Sequence, residues 1–258
     1  MEEKAKLQPF KMYTNVYFIG CEKVSVHLLN TSAGLVLIDT GYPDMLDLIL
    51  ANVERMGFSP RDITAILHTH GHIDHYGCTR ELVELSGAKT YISRIDNEIV
   101  NGNIDMSLAA AVGAETIPPF SCDVLLEDGD VLDFGDTSVR CVLTPGHTEG
   151  VMSYIITLPD GKVAAMHGGV GLNSLKSGFL RTHGLSFDCR RKFRESLKRL
   201  SQERVDIVLG NHPGQTRTLT KMLKVLGGEG DILNPDEWQA FLKRVEKKLD
   251  ALIEEDPE

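Results

Sequence analysis

At 258 residues the chain can bury most of the apolar surface that its unfolded form exposes. Hydrophobic residues make up 42% and charged residues 25%, and no apolar run approaches the ~20 residues needed to cross a bilayer, which excludes a membrane protein. Against 37 Asp and Glu stand 27 Lys and Arg, a net charge of −10; the sign is wrong for a phosphate backbone, so no nucleic-acid partner is expected.

The opening MEEKAKLQPFKMYTNVYFIG lacks the apolar stretch and small-residue cleavage site of a secretory signal. Five cysteines, Cys21, Cys78, Cys122, Cys141 and Cys189, form no C-x-x-C pair. A cytoplasmic protein with reduced thiols is the expectation. KVSVHLL (23 to 29) and LVLID (35 to 39), separated by the turn-forming NTSAG, predict a hairpin. Leu46, Ile49, Leu50, Val53 and Met56 then recur at helical spacing between Pro43 and Gly57. ITAIL (63 to 67) reads as a short strand buried on both faces.

Beyond the histidine-rich LHTHGHIDHYG (67 to 77), a helix carrying Leu82 and Val83 should stop at Gly87, and KTYIS restarts a strand. Residues 97 to 120 carry no clear pattern. DVLLEDGDVLDFGD predicts a hairpin around Asp128 and Gly129, SVRCVL a strand, and MSYIITLPDGKVAAM a hairpin turned by PDG. Phe193, Leu197 and Leu200 mark a helix whose basic run CRRKFRESLKR is a solvated face, and VDIVL (205 to 209) is a strand. The last helix is expected over 235–253, with Asn234 as cap, Pro235 at its first position, Glu237 closing a capping box and a stripe from Trp238 to Leu252 facing the core. No linker divides the chain. A single domain over 1–258 of layered α/β or α+β architecture is expected.

Imidazole and carboxylate are the ligands that zinc and similar ions take. The pattern His-x-His-x-Asp-His fits LHTHGHIDHYG in one register, beginning at His70, because a start at His68 puts His72 where aspartate is required. His70 and His72 on an extended segment project to one side. A following helical turn would aim Asp74 and His75 a few ångströms away, so one stretch can serve two ions. His147 in TPGHTEG and His212 in GNHPG also follow buried-type strands, as ligands at a carboxyl edge do. Gly146 and Gly210 would let the backbone come close to the metal. His27, His68 and His183 read as structural.

LVLIDTG with Asp39, HTHGHIDHYG, TPGHTEG, the PDGKVAAMHGG hairpin and GNHPG, in this order over about residues 14 to 215, resemble the metallo-β-lactamase fold superfamily. The resemblance implies a four-layer αββα sandwich (α+β class). It also implies two metal ions, one on His70, His72 and His147, the other on Asp74, His75 and His212. Asp39 would orient a ligand. Many hydrolases of this fold carry a bridging aspartate after the second hairpin, where VAAMHGGVGLNSLKSG has no acid and His167 stands instead; His167 is a candidate to bind metal, contact substrate or shuttle a proton, or else a packed histidine of the pocket wall. The donor set is similar to the third, histidine-rich subclass of metallo-β-lactamases. The implied activity is hydrolysis by a metal-bound hydroxide, with Asp74 as the catalytic carboxylate, two Zn²⁺ as cofactors (iron, manganese or cobalt being alternatives) and a lactam, lactone or thioester as small-molecule substrate. The alternative function is an iron-binding redox or oxygen-sensing protein of the same fold. Neither the substrate nor the oligomeric state is legible.

Overall fold

The computed structural model describes residues 6–258. It begins with β1 (Phe10–Tyr13), β2 (Val16–Phe18), β3 (His27–Thr31), β4 (Gly34–Ile38), α1 (Leu46–Arg55) and β5 (Ile63–Leu67). Then come α2 (Ile73–Tyr76), α3 (Thr79–Ser86), β6 (Lys89–Ser93), α4 (Arg94–Val100), α5 (Ala109–Val112) and β7 (Val124–Leu126). The rest comprises β8 (Val131–Asp133), β9 (Ser138–Leu143), β10 (Met152–Thr157), β11 (Val163–His167), α6 (Ser177–Thr182), α7 (Asp188–Leu200), β12 (Ile207–Gly210), α8 (Thr218–Leu226) and α9 (Glu237–Glu255). Strands β1 to β7 form one sheet in sequence order, and the second sheet runs β12-β11-β10-β9-β8.

Three apolar clusters make the layers. Between the sheets, Phe18, Leu29, Val36, Ile38 and Leu67 pack against Val139, Tyr154, Ile156, Met166 and Leu209. Outside the first sheet, Ile49, Val53 and Leu82 cover Leu28, Leu37 and Ile66. Outside the second, Phe193, Leu197, Trp238, Phe241 and Leu242 cover Ile155, Ala165 and Val208. The alternation of side chains along a strand gives each sheet two faces, and both are buried here, which is the αββα sandwich.

The β3–β4 hairpin pairs His27 with Ile38 and Thr31 with Gly34, a later start than residue 23. Val24 and Val26 are buried, but they close a turn by accepting from Cys21 N and Ile19 N instead of joining the sheet. Strand β5 lies parallel between β4 and β6, with only Thr64 exposed. The N-terminal β1 and β2, which the sequence reading did not identify, extend the same sheet.

Two expectations need correction. DVLLEDGDVLDFGD is not a hairpin: β7 pairs in parallel with β6 in one sheet, and β8 pairs antiparallel with β9 in the other. Between them the EDGD turn is stitched to β9, with Gly129 N donating to Cys141 O and Cys141 N to Asp130 O, so it hands the chain across the sandwich. The last helix begins at Glu237 and ends at Glu255, not over 235–253. Asn234 accepts from Asp236 N through Oδ1 at 3.2 Å and makes a turn before the helix. The Glu237 carboxylate, instead of folding back on a capping box, pairs with Lys221 Nζ at 2.9 Å.

The basic run on α7 is largely a solvated, neutralised face: Arg191 pairs with Asp188 and Glu195, Lys192 with Glu149, and Arg194 with Asp250. Arg190 is the exception. It is buried and donates to Leu175 O and Asp256 O, pinning the end of the chain to α7. No helix among the described residues is long and apolar enough to cross a membrane.

Trp238 ties α9 to α7, fully buried, stacked on Phe241 and donating from Nε1 to Leu200 O at 2.9 Å. Trp238→Ala should lower the free energy of unfolding by about 3–5 kcal/mol, measured by denaturant titration. A loss below about 1 kcal/mol, the size of an ordinary surface substitution, would show that α9 is not part of this core.

Candidate metal centre

Four chain segments meet at one edge of the sandwich. The first follows β5: Thr69 O accepts from Met152 N of β10, so the extended stretch 68–72 bridges the two sheets. It runs into the short α2, which carries Asp74 and His75. The loop after β9 brings His147, and the turn after β12 brings His212. Asp39, at the end of β4, lies beneath them in the left-handed region at φ 62°, a conformation that costs energy for a residue other than glycine.

One ligand-type atom from each of His70, His72 and His147 falls within 4.8 Å of the other two, and the same holds for Asp74, His75 and His212. His70 Nε2 lies 3.1 Å from His72 Nδ1, near the roughly 3.3 Å edge of a tetrahedron with nitrogen ligands at about 2.0–2.1 Å. Asp74 Oδ2 is 3.5 Å from His75 Nε2 and 3.6 Å from His212 Nε2. The two groups adjoin, the rings of His70 and His75 standing 4.2 Å apart.

Hydrogen bonds on the far side of each ring select the tautomer. His147 Nδ1 donates to Gly171 O at 2.7 Å and His212 Nδ1 to Lys23 O at 2.8 Å. His75 Nδ1 donates to Asp39 Oδ2 at 2.7 Å. Thr69 Oγ1 gives its hydrogen to Asp39 Oδ2 and accepts from His70 Nδ1 at 3.0 Å. In all four the Nε2 lone pair is left facing inward, the outer-side support that metal-binding histidines use. His75 Nε2 is buried with no hydrogen-bond partner. Converging lone pairs of this kind fit divalent cations and fit little else.

Burial, followed by the charges of neighbouring histidines, holds His70 and His72 well below 6.5, and burial lowers His147 to about 4. The rings are therefore neutral, as a ligand must be. Burial also works against a proton on His75, but the carboxylates of Asp74 and Asp39 outweigh it and raise this group.

Asp39 touches neither group's inward face. Its carboxylate accepts from Thr69 N, Thr69 Oγ1 and His75 Nδ1, orienting His75 directly and His70 through Thr69. His68 turns away, 3.3 Å from Thr79 Oγ1, while its carbonyl accepts from Tyr154 OH. His167 is 1% exposed, accepts from Gly169 N and stands over Phe193. It belongs to neither group and has no open face toward substrate. His27 donates to Gly210 O and His183 stacks on Phe179.

One functional acid escaped the sequence reading. Asp96, buried on α4, accepts from Gly71 N, between His70 and His72, at 2.9 Å. It also accepts from Thr148 Oγ1 at 2.6 Å and Gly150 N at 2.9 Å, beside His147. One carboxylate thus clamps the two loops of the first group. Its sequence signal, S-x-x-D at a helix start, is indistinguishable from an ordinary cap, and Ser93 does cap this helix. The roles expected of Gly146 and Gly210 are also revised. A side chain at Gly146 (φ +145°) would strike the Phe193 backbone, and one at Gly210 would strike Thr216, so packing of neighbouring segments, not approach to a metal, requires glycine at both.

The metallo-beta-lactamase superfamily matches residues 19–165 of the chain. The hydroxyacylglutathione hydrolase of Maricaulis maris (strain MCS10) is 37% identical over 117 residues, 45% of this chain and 36% of that one. Matches to curated relatives span 26–58% of those proteins' lengths. Among solved structures, the metallo-beta-lactamase of Cronobacter sakazakii superposes with a TM-score of 0.83 at 28% identity over 96% of both chains. The subclass B3 metallo-beta-lactamase BJP-1 of Bradyrhizobium japonicum shares the fold, with a TM-score of 0.82 at 24% identity, covering 97% of this chain and 95% of that one.

Two outcomes are expected. His70→Ala should lower the content of bound divalent metal, whereas His68→Ala should leave it unchanged, read by elemental analysis; the reverse would mean that the ligands begin at His68. The second concerns acid. His27 and His68 are lowered to about 4 and His167 to about 3, in each case first by burial. Below pH 6.5 the unfolded chain takes up protons that the folded one refuses until these lower values, so stability is lost as pH falls. The melting temperature of metal-free protein should fall from pH 7 toward pH 4; a rise over that range would contradict this.

Proposed function

The chain belongs to the metallo-beta-lactamase superfamily, and from that premise we propose that it is a metal-dependent hydrolase with two zinc ions. His70, His72 and His147 hold one ion, and Asp74, His75 and His212 the other. The observation that carries this reading is the inward set of donor atoms, four of its five histidines anchored through the opposite ring nitrogen on Asp39, Thr69, Gly171 and Lys23. Bound divalent ions supply Lewis acidity, polarising a carbonyl and making water a nucleophile near neutral pH.

The chain's own residues do the rest. Asp74 is the one carboxylate in the two groups, and in this reading it takes the proton that an attacking water loses and returns it to the departing nitrogen, oxygen or sulfur. Asp39 and Asp96 fix the ligands from behind, so little reorganisation is needed when charge develops. This chemistry requires no thiol nucleophile, and burial pushes Cys78, Cys122 and Cys141 up to about 12, far from the thiolate form at neutral pH.

The substrate in this reading is a small molecule with a carbonyl bonded to nitrogen, oxygen or sulfur: a lactam, lactone or thioester. β11 ends on His167 and the segment after it supplies the Gly171 carbonyl, with no acid, and a solved structure similar over 96% of this chain at 28% identity is a metallo-beta-lactamase. β-Lactam turnover is therefore part of the proposal. The five cysteines stand as free thiols, the state kept by the cytoplasm, where we place the enzyme.

Zinc-loaded protein should hydrolyse at least one member of a panel of esters, lactones, thioesters and a chromogenic cephalosporin. Chelation should abolish turnover and added zinc restore it. Fully loaded protein inert toward the whole panel would overturn the hydrolase reading. Iron in freshly purified protein, with oxygen uptake, would instead favour the redox alternative.

A further inference from the structure

Residues 168–177, the acid-free GGVGLNSLKS between β11 and α6, lie against the His147 ring. A Cβ on Gly169 would stand 2.7 Å from His147 Cδ2, and one on Gly171 3.0 Å from Cε1, closer than carbon atoms pack; glycine at both positions lets the backbone touch the ring. His147 Nδ1 divides its hydrogen between Gly171 O at 2.7 Å and Ser174 Oγ at 3.1 Å, and Ser174 Oγ gives its own hydrogen to His147 O at 2.8 Å. The buried Ser174 therefore holds both the ring and the backbone of one ligand-type residue. Two charged side chains tie down the far end of the segment. Buried Arg190 of α7 donates from Nε to Leu175 O at 2.8 Å and from Nη2 to Asp256 Oδ2 at 3.1 Å. Asp256, just beyond α9, accepts from Ser177 N at 2.6 Å and also from Ser177 Oγ.

We propose that Ser174, braced by the Arg190–Asp256 pair, is a positioning residue for the ion on His70, His72 and His147 alone; the inference rests on the two-ion reading. An imidazole free to turn about its two side-chain torsions spends part of its time with Nε2 aimed off the ion, and each contact on the outer side removes some of that freedom. Ser174 and Gly171 O remove it for His147. The brace keeps those two atoms where the ring needs them, because a charge-assisted pair resists displacement more than a neutral hydrogen bond does. The second group hangs on different supports, Asp39 for His75 and Lys23 O for His212. Loosening the segment 168–177 therefore weakens one ion and spares the other. A residue near the end of the chain, remote from the donor atoms in sequence, thereby sets the affinity of one of the two ions.

The test separates the two groups in the full chain. His212→Ala protein keeps the first group whole and His147→Ala protein keeps the second, and zinc affinity is read in each by competition with a chromogenic chelator. In the His212→Ala protein, Ser174→Ala should weaken zinc by about 10–100-fold, the range for losing an outer-side partner of a metal-binding histidine, and Asp256→Ala by roughly tenfold, the low end of that range. In the His147→Ala protein both substitutions should leave zinc affinity unchanged. Unchanged affinity in the first protein would overturn the inference, and so would equal weakening in both, which would mean a general loosening of the fold. A loss with Ser174→Ala but none with Asp256→Ala would overturn the brace. Should Asp256→Ala fail to fold by circular dichroism, Asp256→Asn, which keeps one accepting oxygen, takes its place with the same expected direction. No zinc bound by His212→Ala protein with Ser174 and Asp256 in place would overturn the two-ion reading itself, and the inference with it.

Discussion

The Asp39 carboxylate organises this molecule's functional edge. It is fully buried, a state whose cost is met only by good hydrogen-bond partners, and it has three: Thr69 N, Thr69 Oγ1 and His75 Nδ1. These contacts join the end of β4 to the segment after β5 and to α2, and the last two carry four of the six ligand-type side chains, His70, His72, Asp74 and His75. The left-handed backbone at Asp39 is the strain the fold tolerates to aim the carboxylate there. With Thr69 and His75 fixed, the inward nitrogens of His70 and His75 have a single orientation.

The second organising acid, Asp96, acts in the same way from the opposite wall. Asp39 joins parts of the first sheet, whereas Asp96 joins the loop after β5 to the loop after β9, one from each sheet. The ligand groups therefore sit on a seam, held by a buried carboxylate on either side. The first group is built of the neutral imidazoles of His70, His72 and His147, and protonating them would set buried charges against one another. Such a place is costly for a folded chain by itself and suited to cations, since stability is given up locally where function needs unsatisfied donors.

Much of this arrangement was legible from residue spacing. The period of His-x-His-x-Asp-His picked out His70, His72, Asp74 and His75 and set His68 aside, and the structure brings those four together with His147 and His212 and turns His68 away. Strands alternating with amphipathic helices pointed to a layered α/β or α+β chain, and the resemblance to the metallo-β-lactamase fold superfamily implied the αββα order that the two sheets show. The failures have physical causes. Alternation around Asp128–Gly129 looks the same whether the two strands pair with each other or with different sheets, and only long-range partners such as Cys141 decide. The start of α9 depends on the ion pair of Glu237 with Lys221, sixteen residues away, which no local capping pattern encodes. Asp96 was hidden for a similar reason: its partners lie on two loops, 25 and 54 residues distant.

The central claim is that six side chains hold two ions and that the other buried histidines hold none. Crystals grown with zinc and measured at its absorption edge test it most directly. The account predicts two anomalous peaks per chain, one bonded to His70, His72 and His147 and the other to Asp74, His75 and His212. A single peak, or an ion bonded to His68 or His167, would contradict it.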